Sequence, residues 1–104
     1  MNELFYLHAE VCKTLANPKR LQIIEALRPG ALAVGEIERR LKIRKANVSQ
    51  HLALLRQHGI VTARREGTSV YYRISNRKVL RACQLMREVL LAQLKKGGRL
   101  VSGI

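Results

Sequence analysis

Aromatic rings, acidic groups and cysteines are all scarce in this chain. It has no tryptophan, and its only aromatics are Phe5, Tyr6, Tyr71 and Tyr72. That argues against binding single-stranded nucleic acid, which stacks bases on aromatic platforms. The two cysteines, Cys12 and Cys83, are too few for a disulfide scaffold, so reduced thiols are expected. No apolar run approaches the roughly 20 residues of a membrane-spanning helix. The first residues also lack the basic-then-apolar pattern of a secretion signal. The reading is a cytoplasmic protein with no membrane partner. Neither a P-loop nor a GxGxxG turn occurs, and no Ser/His/Asp set stands at a recognisable spacing. An enzyme is therefore not expected. Only seven acidic residues offset 20 basic ones, for a net charge of +13. The basic residues run through the chain instead of forming a tail, which suits a protein that neutralises phosphates. Solubility alone, or an anionic membrane surface, is the blander account of that charge.

With 104 residues, a single domain is expected, over residues 1–96, followed by a flexible tail at 97–104. The stretch Ala46–Arg56 organises it. Val48, Leu52 and Leu55 recur at the spacing of one helical face. The opposite face holds Ala46, Ser49, Gln50 and Ala53, which are short, uncharged and able to hydrogen-bond base edges. Gly59 stops this helix. Two strands follow, Ile60–Arg65 and Ser69–Ile74, around Glu66-Gly67-Thr68. A small-faced polar helix followed by a basic hairpin is the winged-helix arrangement; an ordinary surface helix beside a hairpin is the alternative.

Upstream, Asn2 caps a first helix from Glu3 to about Ala16. Asn17-Pro18 then opens a second, with Asn as cap and Pro in the first turn. Leu21, Ile23, Ile24 and Leu27 form its core side. Val34–Leu41 is a short third helix, and Lys42-Ile43-Arg44 is the tight connection of a helix-turn-helix. Ser75 or Asn76 caps a last helix running to about Lys95. Its apolar stripe of Val79, Ala82, Cys83, Met86, Val89, Leu90 and Leu94 is too broad for one small domain to cover together with that of the first helix. The fold expected is mainly α with a small β-hairpin: a winged helix-turn-helix of about five helices, dimeric through the first and last.

The segments LANPKRLQIIEAL, AVGEIERRL, ANVSQHLALLRQHGIV and REGTSVYYRI, in this order, resemble the ArsR/SmtB family of bacterial winged-helix repressors. The likeness spans about Leu15 to Ile74. It implies a homodimer on a two-fold-symmetric operator, one recognition helix per major groove, released by an inducer. It places base-facing positions at Lys45, Ala46, Ser49 and Gln50, and wing contacts at Arg64, Arg65 and Thr68. Arg44 stands where the family often has Ser or Thr, which removes a cap and adds a phosphate contact. Asn47 and His51 complete the expected DNA-contacting set, although His51 flanks the apolar face and could equally serve packing.

The family's metal-ligand positions are occupied here by Ala33, Asn76, Lys78, Val89 and Ala92, none of which holds zinc in the family's manner. No metal or other cofactor is expected. Cys12 and Cys83 remain as candidate sensors through disulfide or polysulfide chemistry, with core packing as the plainer reading. An atypical metal site of His8, Cys12 and Cys83 is a further alternative. The thiol pair of sulfur-responsive relatives has one member in the second helix, where this chain has Glu25. The function expected is a dimeric, sequence-specific DNA-binding repressor. A nonspecific architectural binder and a protein-interaction module are the competing classes.

Overall fold

The computed structural model describes residues 2–97. Its elements run α1 (Asn2–Leu15), α2 (Pro18–Ala26), β1 (Leu32–Ala33), α3 (Val34–Leu41), α4 (Lys45–Gln57), β2 (Val61–Glu66), β3 (Ser69–Ile74) and α5 (Lys78–Lys95). The expected five helices and hairpin are present. The hairpin belongs to a three-stranded antiparallel sheet of order β1-β3-β2. The strand not foreseen, β1, is two residues long and pairs Leu32 with Tyr72 and Ala33 with Tyr71. Of the expected tail, the residues from Gly98 onward lie outside those described.

Local chemistry explains most boundaries. Asn17 Oδ1 accepts from the amides of Lys19 at 2.9 Å and Arg20 at 3.2 Å, with Pro18 opening α2. At the end of α4 the Ile60 amide bonds the Leu55 carbonyl at 2.9 Å, and Gly59 bonds Arg56 at 3.0 Å. That pair is a Schellman motif, and it needs the left-handed φ of 72° that Gly59 adopts. The motif brings buried Ile60 against buried Leu55, so the turn that ends α4 also aims β2. Gly67, with φ 63°, supplies the first central position of the two-residue turn between Glu66 and Ser69.

One cap differs from expectation. Asn2 is itself the first helical residue of α1. At α5, Asn76 Oδ1 accepts from the Lys78 amide at 2.9 Å, as a cap would. Ser75 instead donates its hydroxyl to the Gly59 and Ile60 carbonyls, tying the end of the sheet to the start of β2.

The core is one cluster: Ile23, Ile24 and Leu27 of α2, Ile37 of α3, Ile43 of the turn, Val48, Leu52 and Leu55 of α4, then Ile60, Val61, Ile74 and Leu80. Val11 and Leu15 of α1 pack on it only in part. The rest of α1's apolar side lies open, with Phe5 64 % exposed, as does that of α5, with Leu91 55 % exposed.

Candidate nucleic-acid interface

The spacing of Val48, Leu52 and Leu55 is what positions the site. All three are wholly buried, so they fix how α4 sits on the core. Ala46, Asn47, Ser49 and Gln50 are thereby left exposed, and Lys45 is exposed as the first residue of the helix. α3 approaches α4 through Lys42-Ile43-Arg44. Lys42 takes a left-handed φ of 56°, its amide bonding the Glu38 carbonyl at 2.8 Å, and Ile43 plunges into the core. This pivot turns the chain sharply enough to set α4 across α3. No side chain caps α4, because Arg44 occupies the cap position. Its first amides therefore face outward with partial positive charge, beside Arg44 and Lys45.

On the wing, Arg64, Arg65 and Thr68 are all exposed. Arg64 is paired with Glu66 two residues along the same strand. Such an exposed pair is weak and is readily exchanged for a phosphate. Arg39 and Arg40 share Glu36 on α3, at 3.3 and 3.5 Å. Arg44, Lys45 and Arg65 enter no ion pair among the described residues. The wing root is held on the other side by β1, whose partners Tyr71 and Tyr72 lie opposite Arg64 and Ala63 of β2.

His51 is placed differently from the rest of the expected set. It is half-buried, with Nδ1 3.3 Å from Arg20 Nη1. Burial first, and then the charges of Arg20 and Lys19, hold its pKa below the ordinary histidine value. The ring packs against a guanidinium, which is one of the two roles expected of it. Sequence reasoning missed Arg20, since nothing local marks a contact made 31 residues away.

A second feature lies between α1, α2 and α5: an apolar groove of about 680 Å³. Exposed Cys12 and half-buried Cys83, both free thiols, line it together with His8, Glu25, Met86 and Arg87. Glu25 accepts from Arg28 at 2.5 Å and from Arg87 at 2.9 Å, clipping α2 to α5. Those bonds, led by Arg28, hold the Glu25 carboxyl below its usual pKa, whereas burial pushes the Cys83 thiol up. Among the described residues no three His, Cys, Asp or Glu side chains gather as a metal site would require. The alternative site of His8, Cys12 and Cys83 is thus not assembled within one chain. No helix among the described residues is long and apolar enough to cross a membrane.

A helix-turn-helix with an outward face of small polar side chains, flanked by a basic hairpin, defines a winged-helix DNA-binding protein. Residues 15–64 match the family model of a helix-turn-helix domain. The chain belongs to the ArsR family of winged helix-turn-helix transcriptional regulators. It is 39% identical to the biofilm growth-associated repressor of Agrobacterium fabrum over 81% of this chain and 72% of that one. It is likewise 39% identical to the transcriptional activator HlyU of Vibrio cholerae, over 74% of this chain and 71% of that one. Among solved structures it superposes with TM-score 0.79 on the homodimeric winged helix-turn-helix DNA-binding domain Mb0332 from Mycobacterium bovis. That pair is 35% identical, with 96% of this chain and 92% of the other covered.

Proposed function

We propose that this chain is a cytoplasmic homodimeric repressor that binds a two-fold-symmetric operator and leaves it when an inducer arrives. The observation that carries the reading is the division of α4: Val48, Leu52 and Leu55 wholly buried, Ser49 and Gln50 outward. Lys45, Ser49 and Gln50 read base edges, Ala46 gives close approach, and Arg44 and Asn47 hold the flanking phosphates. Arg64, Arg65 and Thr68 of the wing add contacts alongside. The open apolar faces of α1 and α5 form the dimer interface, which sets the spacing of the two reading helices. Mb0332, a homodimer, supports that assembly. Catalysis has no place in this scheme, and neither does a cofactor.

The test is a duplex selected from a random pool by the wild-type protein. Ser49→Ala together with Gln50→Ala should abolish preference for that duplex over random DNA, a loss of about 1–3 kcal/mol for each base pair read. The variant should remain dimeric. Undiminished preference would refute the assignment of α4.

A second reading concerns the inducer, and it is favoured by Cys12 and Cys83 lining one groove. Exposed Cys12, as thiolate, attacks the sulfur–sulfur bond of a low-mass disulfide and releases one thiol. Cys83 then displaces the second thiol and closes a disulfide, which requires Cα atoms within about 7 Å. The link would draw α1 and α5 together and displace the reading helices. Binding to the selected duplex should fall after treatment with a disulfide or polysulfide donor. Cys12→Ser and Cys83→Ser should each abolish that response; a full response in either variant excludes the pair as the switch.

A further inference from the structure

We propose that Arg20 is the positioning residue that fixes the placement of α4 relative to α1, acting through Nδ1 of His51. The proposal rests on α4 being the helix that reads DNA.

The geometry is a two-ended clamp. Arg20 Nε donates to the Thr14 carbonyl at 2.5 Å, and Nη1 lies 3.3 Å from His51 Nδ1. Thr14 sits in the last turn of α1, where carbonyls lack helical partners and carry partial negative charge. Its side chain is anchored too, with Oγ1 donating to the Glu10 carbonyl at 2.9 Å, and the residue is buried. Arg20 itself is held at the start of α2, its amide bonded to the Asn17 cap. One planar group on α2 therefore meets two further helices, α1 and α4. An arginine can only donate, so His51 accepts through a bare Nδ1 and carries its proton on Nε2. The ring has to be neutral for this, and burial with two cationic neighbours from α2, Arg20 and Lys19, keeps it so.

Such a clamp supplies what the core does not. Val48, Leu52 and Leu55 seat α4 on the core, but the hydrophobic force that does so is not directional. A guanidinium fork has fixed directions. His51 directly follows Gln50, so sliding at His51 moves the base-reading side chain by the same amount. Base-edge hydrogen bonds fail over such shifts, whereas long Lys and Arg side chains still find phosphates. Arg20 thereby connects α1, which carries an open apolar face, to the reading residues of α4.

The experiment compares wild type with Arg20→Lys, which keeps the charge but loses the fork. Affinity for the selected duplex should fall about tenfold, while affinity for random duplex and the salt dependence stay unchanged. Adding His51→Gln to Arg20→Lys should cost little more than Arg20→Lys alone. Equal losses on selected and random DNA would make Arg20 a general DNA contact and overturn the proposal, as would no loss at all. The ring nitrogens of His51 in the wild-type protein, free of DNA, provide a second readout by nitrogen-15 NMR. A bare Nδ1 and a protonated Nε2 near neutral pH are expected; the opposite tautomer or a charged ring refutes the clamp. If wild type selects no duplex, the DNA-reading assignment fails separately, and the tautomer still decides the clamp.

Discussion

Among the described residues, every buried apolar side chain except Leu80 lies between Ile23 and Ile74, while α1 and α5 keep long apolar rows in the open. The two regions are built from similar amphipathic helices. In the central one, each stripe meets another stripe of the same chain. In the flanking one, Phe5, Tyr6 and Leu7 of α1 and Leu85, Val89 and Leu91 of α5 meet none. Apolar patches of that extent on a small chain mark an interface. The central region therefore carries the reading head as a finished piece, and the flanking helices determine where in space a second head stands.

This contrast can be broken from either side. The largest effect is expected in the centre: Leu52→Ala, at a wholly buried position, should cost about 2–5 kcal/mol of stability. Thermal unfolding would measure it, and a change below about 1 kcal/mol would contradict a closed core there. In the flanks, Phe5→Ser with Leu91→Ser should leave the secondary structure intact and shift sedimentation from dimer to monomer. Persistence of the dimer would place the interface elsewhere. The smallest effect is on pH dependence. His51 has a lowered pKa in the fold, so the unfolded chain binds its proton more readily. Its contribution is complete above about 6.5, the ordinary histidine value, and is lost as pH falls through that value towards the lowered one. Glu25, also lowered, adds a further loss below the ordinary carboxylate value. Melting temperature should thus decline on acidification, with His51→Gln removing the earlier part of the decline. An unchanged profile in that variant would show that His51 is not held neutral.

The elements legible in the sequence were those governed by neighbours a few residues apart. Val48, Leu52 and Leu55 gave away α4, Asn17-Pro18 the start of α2, and Gly59 the end of the reading helix. The open stripes of α1 and α5 were likewise visible, because an unmatched apolar row needs no knowledge of the fold. What escaped depended on distant partners. Leu32-Ala33 has no strand pattern of its own and becomes β1 only by pairing with Tyr71 and Tyr72. Arg20 carries no local signal, although it reaches Thr14 and His51. Glu25 stood out only as a missing thiol, yet it clips α2 to α5 through Arg87. The exposed positions Ala46, Asn47, Ser49 and Gln50 lie as the helical period required, whereas Arg44 and Lys45 are exposed because they stand at the helix start. His51, half a turn from solvent, was the ambiguous one for that reason.

The sheet itself has a consequence for how this architecture can vary. β1 braces β3 only at Tyr71 and Tyr72, leaving the Glu66–Ser69 end of the hairpin paired to nothing but itself. The hairpin is an arm clamped at the shoulder and free at the hand. Two residues added on each side of Gly67-Thr68 would lengthen it by about 6–7 Å and keep the register of every pair behind them. Reach across the DNA backbone is thereby an adjustable dimension, separable from the helix that chooses the sequence.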